Sequence, residues 1–135
     1  MIQHLRVARI VPQPLGKDRA AAFLKAQSIL LAYGVTAIGD MGTSLDDWLT
    51  YRRMGDIDAL RVRIMSYAMG VDTAVRIGGT GPTPWLYNDR LRMGGVKLYA
   101  DGALGSRGAW LKAPYSDAPG QSGAGFLSDD VIRNL

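Results

Sequence analysis

The residues best suited to chemistry in this chain are a lysine and two aspartates set along or at the ends of apolar runs. In Val96-Lys97-Leu98-Tyr99-Ala100-Asp101-Gly102, period-two alternation puts Lys97, Tyr99 and Asp101 on one face of a predicted strand. A lysine inside so apolar a strand is rare unless it is paired or modified. An aspartate closing a parallel strand stands where α/β enzymes keep their reacting groups. Asp40 repeats that placement after Val35-Thr36-Ala37-Ile38-Gly39. Arg107 follows Gly105-Ser106 in a loop, where its guanidinium could orient an anionic substrate group. Each residue also has a structural alternative. Lys97 could form an ion pair with Asp101 or Asp40, Asp101 could be a turn residue before Gly102, and Arg107 could anchor its loop.

The elements that must position these groups alternate. A helix is predicted over about 17–33, with Ala22, Ala26, Ile29 and Tyr33 at helical spacing and Phe23 and Leu30 widening the stripe. Gly34 stands where a helix stop is expected. A buried strand over 35–40 follows, then a helix over 45–54 with Thr43, Ser44 and Asp46 as candidate caps. Leu60–Met69 reads as a third element in which Val62, Ile64 and Ser66 alternate with Arg63, Met65 and Tyr67. Val71–Ile77 and Trp85–Leu91 read as short helices before the lysine strand. Gly102 to Gly125 holds six glycines and two prolines without periodicity, the mark of a functional loop. Ser128 is a good cap for a helix start at the end of the sequence.

Strands near 35–40, 61–67 and 96–101 separated by helices imply a parallel α/β fold. Three strands are too few to close a barrel, and parallel sheets are covered on both faces. The chain therefore reads as part of something larger, with an extended segment over 1–16 and a barrel portion over 17–135.

Composition narrows the classes. The 135 residues are 47% hydrophobic and 21% charged, as in ordinary globular proteins. The net charge of +4 comes from scattered arginines and lysines, without the basic runs of a nucleic-acid binder. The absence of cysteine excludes disulfides and thiol chemistry. No signal-peptide pattern and no membrane-length apolar run appear, so a cytoplasmic location and no membrane partner are expected. Gly78-Gly79-Thr80-Gly81 lacks the strand and helix context of a phosphate loop.

Several stretches resemble the metal-dependent amidohydrolases, specifically the amidohydrolase family 3 branch that includes N-substituted formamide deformylase. They are Tyr33 to Gly42, Leu60 to Arg63, and above all Val96 to Gly120, followed by Gly123 and a strand end at Leu127. The resemblance implies a partial (β/α)8 barrel, roughly its second to fourth strands, from an enzyme that hydrolyses carbon–nitrogen bonds other than peptide bonds. It implies a divalent metal, zinc by expectation, and a small amide-type substrate. Lys97 matches the fourth-strand lysine that related two-metal enzymes carboxylate into a bridging ligand. Asp101, Asp40 and Arg107 are candidates for substrate contact or support of the site. The family's His-x-His pair has no counterpart, since His4 is the single histidine. The chain alone is therefore expected to hold no metal and to be inactive. The alternatives are a non-catalytic interaction module, or one part of a split barrel completed by self-association or by another chain along its strand edges.

Overall fold

In the computed structural model, which describes residues 15–134, six elements follow one another up to Lys97. They are α1 (Gly16–Ala32), β1 (Ala37–Thr43), α2 (Leu45–Asp56), β2 (Arg63–Met69), α3 (Val71–Gly78) and β3 (Leu91–Lys97). A second compact unit begins at Leu98 and carries a tight helical turn (Leu104–Ser106) and α4 (Asp129–Arg133). His4, and residues 1–14 of the segment expected to be extended, lie outside the described residues.

The three strands form one parallel sheet in the order β1-β2-β3. This is the α/β class the sequence implied, a partial (β/α)8 barrel built from consecutive strand–helix units. Ile64, Ser66 and Ala68 of β2 are fully buried, and alternation sends them all to one face. There Ile64 and Ala68 pack with Leu91 and Met93 of β3, Trp48 and Met54 of α2, and Ala74 of α3. Helices therefore cover that face. Met65, Tyr67 and Met69 point to the other.

Two helix starts have a local cause. The Ser44 hydroxyl accepts from the Asp47 amide while the Asp47 carboxylate accepts from the Ser44 amide, a capping box that starts α2. Ser128 caps α4 by accepting from the Val131 amide, as its position predicted.

The face that α1 buries differs from the expected stripe. Ile29 and Tyr33 are exposed, and so are Ala22 and Ala26. Ala20 and Phe23 turn toward the core, with Gln27 almost fully buried beside them. The glutamine concealed this face, because a polar residue in the middle of a stripe reads as solvent-facing. Both ends of its amide are bonded. Nε2 donates to the Ala59 carbonyl at 3.0 Å, and Oε1 accepts from the Arg61 and Val62 amides at 2.7 and 3.2 Å. One side chain thus fixes the approach to β2.

Two further expectations are corrected. Residues 85–91 are not helical. Leu86 and Leu91 form an antiparallel bridge around Tyr87, Asn88 and Asp89, whose φ values are +55°, +55° and +61°. Three successive left-handed residues cannot belong to a right-handed helix. The lysine strand spans 91–97 rather than 96–101, because Gly94-Gly95, a pair that reads as a breaker, lies inside the ladder. Tyr99 and Asp101 therefore do not share a strand face with Lys97, and Leu127 ends no strand.

Replacing Gln27 by Leu keeps the volume but strands a carbonyl and two amides in the interior. Gln27→Leu is expected to lower unfolding free energy by about 3 kcal/mol, read as a reduced urea midpoint at unchanged slope. An unchanged midpoint would remove Gln27 from this role.

Candidate functional site

Lys97 is the last residue of β3 and pairs with Met69 of β2. Its position depends on a register shift. Ser66 pairs with Met93, but the next residue, Tyr67, pairs with Gly95, so Gly94 is an extra residue on β3. Such a bulge shifts the alternation by one. Leu91 and Met93 face the helices, and without the bulge Lys97 would follow them. With it, Gly95 and Lys97 join Tyr67 and Met69 on the opposite face. Glycine lets the strands approach here without displacing side chains: a Cβ on Gly94 would push the Met65 sulfur aside, and one on Gly95 would lie 3.3 Å from the Tyr67 ring. The half-buried Lys97 also anchors the next turn, its carbonyl accepting from the Gly70 amide at 3.2 Å.

Asp40 lies within β1 and not at its end, because the strand continues to Thr43. It pairs with Ser66 and so faces the helices, on the other side of the sheet from Lys97. Its Oδ2 accepts from Thr43 Oγ1 at 2.6 Å and from the Tyr51 hydroxyl at 2.9 Å. Ser66 Oγ donates to Thr43 Oγ1 at 2.7 Å. This chain ties β1 and β2 to α2. Burial, and then the adjacent Asp40 carboxylate, push the Tyr51 phenol well above its ordinary 10.0. Partial burial beside a carboxylate disfavours the negative phenolate.

Asp101 and Arg107 belong to the second unit. Asp101 bridges Gly125, and its Oδ2 accepts from the Trp110 amide at 2.9 Å. Arg107, in a left-handed conformation, pairs with Asp117 at 3.0 Å. The long glycine-rich loop is held by backbone bonds from Leu111 to Ser122 and from Tyr115 to Gln121, with the Tyr115 hydroxyl donating to the Ala109 carbonyl at 2.8 Å. Gly102 packs directly on the Gly108 backbone, where a Cβ would meet the carbonyl at 2.8 Å.

Among the described residues, no group of three or more His, Cys, Asp or Glu side chains could hold a metal ion. Lys97 by itself does not fit a complete metal centre.

The profile of the Amidohydrolase family matches residues 2–135. The chain belongs to amidohydrolase family 3. Relatives and solved structures agree with that placement. Over 45 residues, a third (33%) of this chain and 8% of the relative, it is 42% identical to YtcJ of Bacillus subtilis (strain 168). It is 25% identical over 134 residues to Protein LONG AFTER FAR-RED 3 of Arabidopsis thaliana, covering 87% of this chain and 22% of that protein. Two crystal structures described as uncharacterized metal-dependent hydrolases are similar in fold. That from Pyrococcus furiosus gives a TM-score of 0.80 at 28% identity over 96% of this chain and 27% of its own. That from Pyrococcus horikoshii OT3 gives 0.77 at 29% identity over 89% and 25%. The chain thus spans about a quarter of the length of these two structures. Among the described residues, no helix is long and apolar enough to cross a membrane.

Sequence reasoning missed the bulge and the Asp40–Thr43–Ser66–Tyr51 chain. The signal for the first was present, since paired glycines within a strand mark a bulge.

Because folding raises the Tyr51 pKa, its stabilising effect is complete below about pH 10 and is lost as pH rises beyond that value. Tyr51→Phe removes the titration. Wild type should lose stability between about pH 9 and pH 11 more steeply than the variant, seen in urea midpoints across that range. Parallel pH profiles would contradict this environment.

Proposed function

We propose that this chain forms the second-to-fourth-strand sector of a metal-dependent amidohydrolase barrel. The completed barrel hydrolyses carbon–nitrogen bonds other than peptide bonds. The observation that carries this reading is the placement of Lys97. It closes a parallel strand, where barrel enzymes concentrate their chemistry, and the Gly94 bulge turns it away from the helices. The family match and the two metal-dependent hydrolase structures support the same class.

In this reading Lys97 is carboxylated. Carboxylation would join the Lys97 nitrogen to the carbon of carbon dioxide, with the displaced proton passing to solvent. As a carbamate, Lys97 would be one residue able to hold a divalent metal, through two hard oxygens that an ammonium lacks. Zinc is the expected ion, and what it supplies when bound is water activation and carbonyl polarisation. Lys97 is one ligand. The others come from the remaining strands, in the same polypeptide or in a complementing chain that pairs along β1 and β3, the outer strands of the described sheet. Asp40 holds β1 in register from the helix side, while Asp101 and Arg107 support the loop after β3. Small amides are the substrate class, and N-substituted formamides are the members to which the sequence resemblance points.

The test is hydrolysis of N-substituted formamides by the zinc-loaded protein, as the chain alone and with the remaining barrel strands supplied. The chain alone should be inactive, and the completed barrel active. Lys97→Ala in the completed barrel should lower kcat on the order of 10³-fold or more and release metal. Full activity and metal content in Lys97→Ala, or hydrolysis by the chain alone, would overturn the proposal.

A further inference from the structure

The opposite pole of the sheet has a distinct character. Thr36 and Ala37 at the start of β1, Arg61 and Arg63 at the start of β2, and Asn88 and Arg90 before β3 surround a cavity of about 300 Å³. Three guanidiniums and no carboxylate line it. Among the described residues, the ion pairs join Arg19 to Asp46 and Asp47, Arg107 to Asp117, and Arg133 to Asp130. None reaches this pole. Asp89, next to Arg90 in sequence, presents its carbonyl to Arg63 Nε at 2.8 Å.

Backbone contacts hold two of these cations, Arg63 and Arg90, in place. Arg90 Nη1 donates to the Arg61 carbonyl at 2.9 Å, and Arg63 uses its Nε on Asp89. A guanidinium has five N–H donors, so most remain for a ligand. A fourth cation adds to the field. Arg63 and Arg92 both approach the Trp85 ring, each 5.9 Å from its centroid, and Arg92 Nε is buried without a hydrogen-bond partner. The connection that places Asn88 and Arg90 is the left-handed run Tyr87-Asn88-Asp89, a costly backbone for L residues that persists only where its surroundings impose it. Like charges gathered this way repel one another until an anion lies between them.

We propose that this amino-terminal pole binds a phosphate-bearing small anion. Guanidinium forks match phosphoryl oxygens in geometry as well as charge, and the cavity is of the size of small-molecule sites. The site is separate from Lys97, which closes the other end of β3. Barrels keep their chemistry at that other end, so the role here is binding rather than catalysis.

The probe is inorganic pyrophosphate, titrated calorimetrically into the full chain without added metal. Saturable binding at one site is expected, with Arg61→Gln and Arg90→Gln each weakening it about tenfold or more. Arg76→Gln, on the exposed side of α3, removes the same charge and should leave affinity unchanged. Circular dichroism checks that each variant is folded, and pyrophosphate should raise the melting temperature of wild type but not of Arg61→Gln. No saturable binding, or equal weakening by Arg76→Gln, would overturn the site.

Discussion

A single extra residue in β3 decides what the sheet can do. Up to Met93 the strand buries alternate side chains against the helices, and its pairing with β2 is regular. Gly94 interrupts that pairing, so Gly95 and Lys97 emerge on the face shared by Tyr67 and Met69. A parallel strand with a strict period of two would have placed Lys97 on the helix-covered face with Leu91 and Met93. Gly94 leaves the Met65 side chain undisturbed at the bulge, in the space a Cβ would take. Gly94 and Lys97 therefore form one device, with the first setting the direction of the second.

The helix-facing side carries a different kind of order. Its apolar cluster is crossed by two polar ties: Gln27 on the approach to β2, and the Ser66–Thr43–Asp40–Tyr51 chain between strands and helix. Every hydrogen bond in them is made to a specific atom, which apolar packing does not require. Both ties act on the relative positions of β1, β2 and the helices, and β2 is the strand from which β3 takes its register. A second bulge, at Gly42, lets Thr43 face the helices opposite Ala68 and so reach Asp40.

Much of this was legible in the sequence because it followed simple periods. The α/β alternation, the Ser128 cap and the alternation of Val62, Ile64 and Ser66 all read directly. The misplacements had physical causes. Gly94-Gly95 looked like the end of an irregular stretch, so the lysine strand was expected too late in the chain. Asp40 was expected at a strand end, but the strand runs on to Thr43 and the structure makes Asp40 a partner of Tyr51. The polar Gln27 disguised the buried stripe of α1. Side-chain alternation cannot be read through a bulge without knowing the partner strand. That is why Lys97 was identified by motif while its orientation was not.

The proposed activity requires Lys97 to be a carboxylated ligand presented by the Gly94 bulge. The most direct measurement is carbon-13 NMR of the completed, zinc-loaded barrel equilibrated with labelled bicarbonate. The account predicts a carbamate carbon signal that is absent in Lys97→Ala. An unlabelled lysine in active, metal-loaded protein, or a carbamate signal that survives Lys97→Ala, would contradict it.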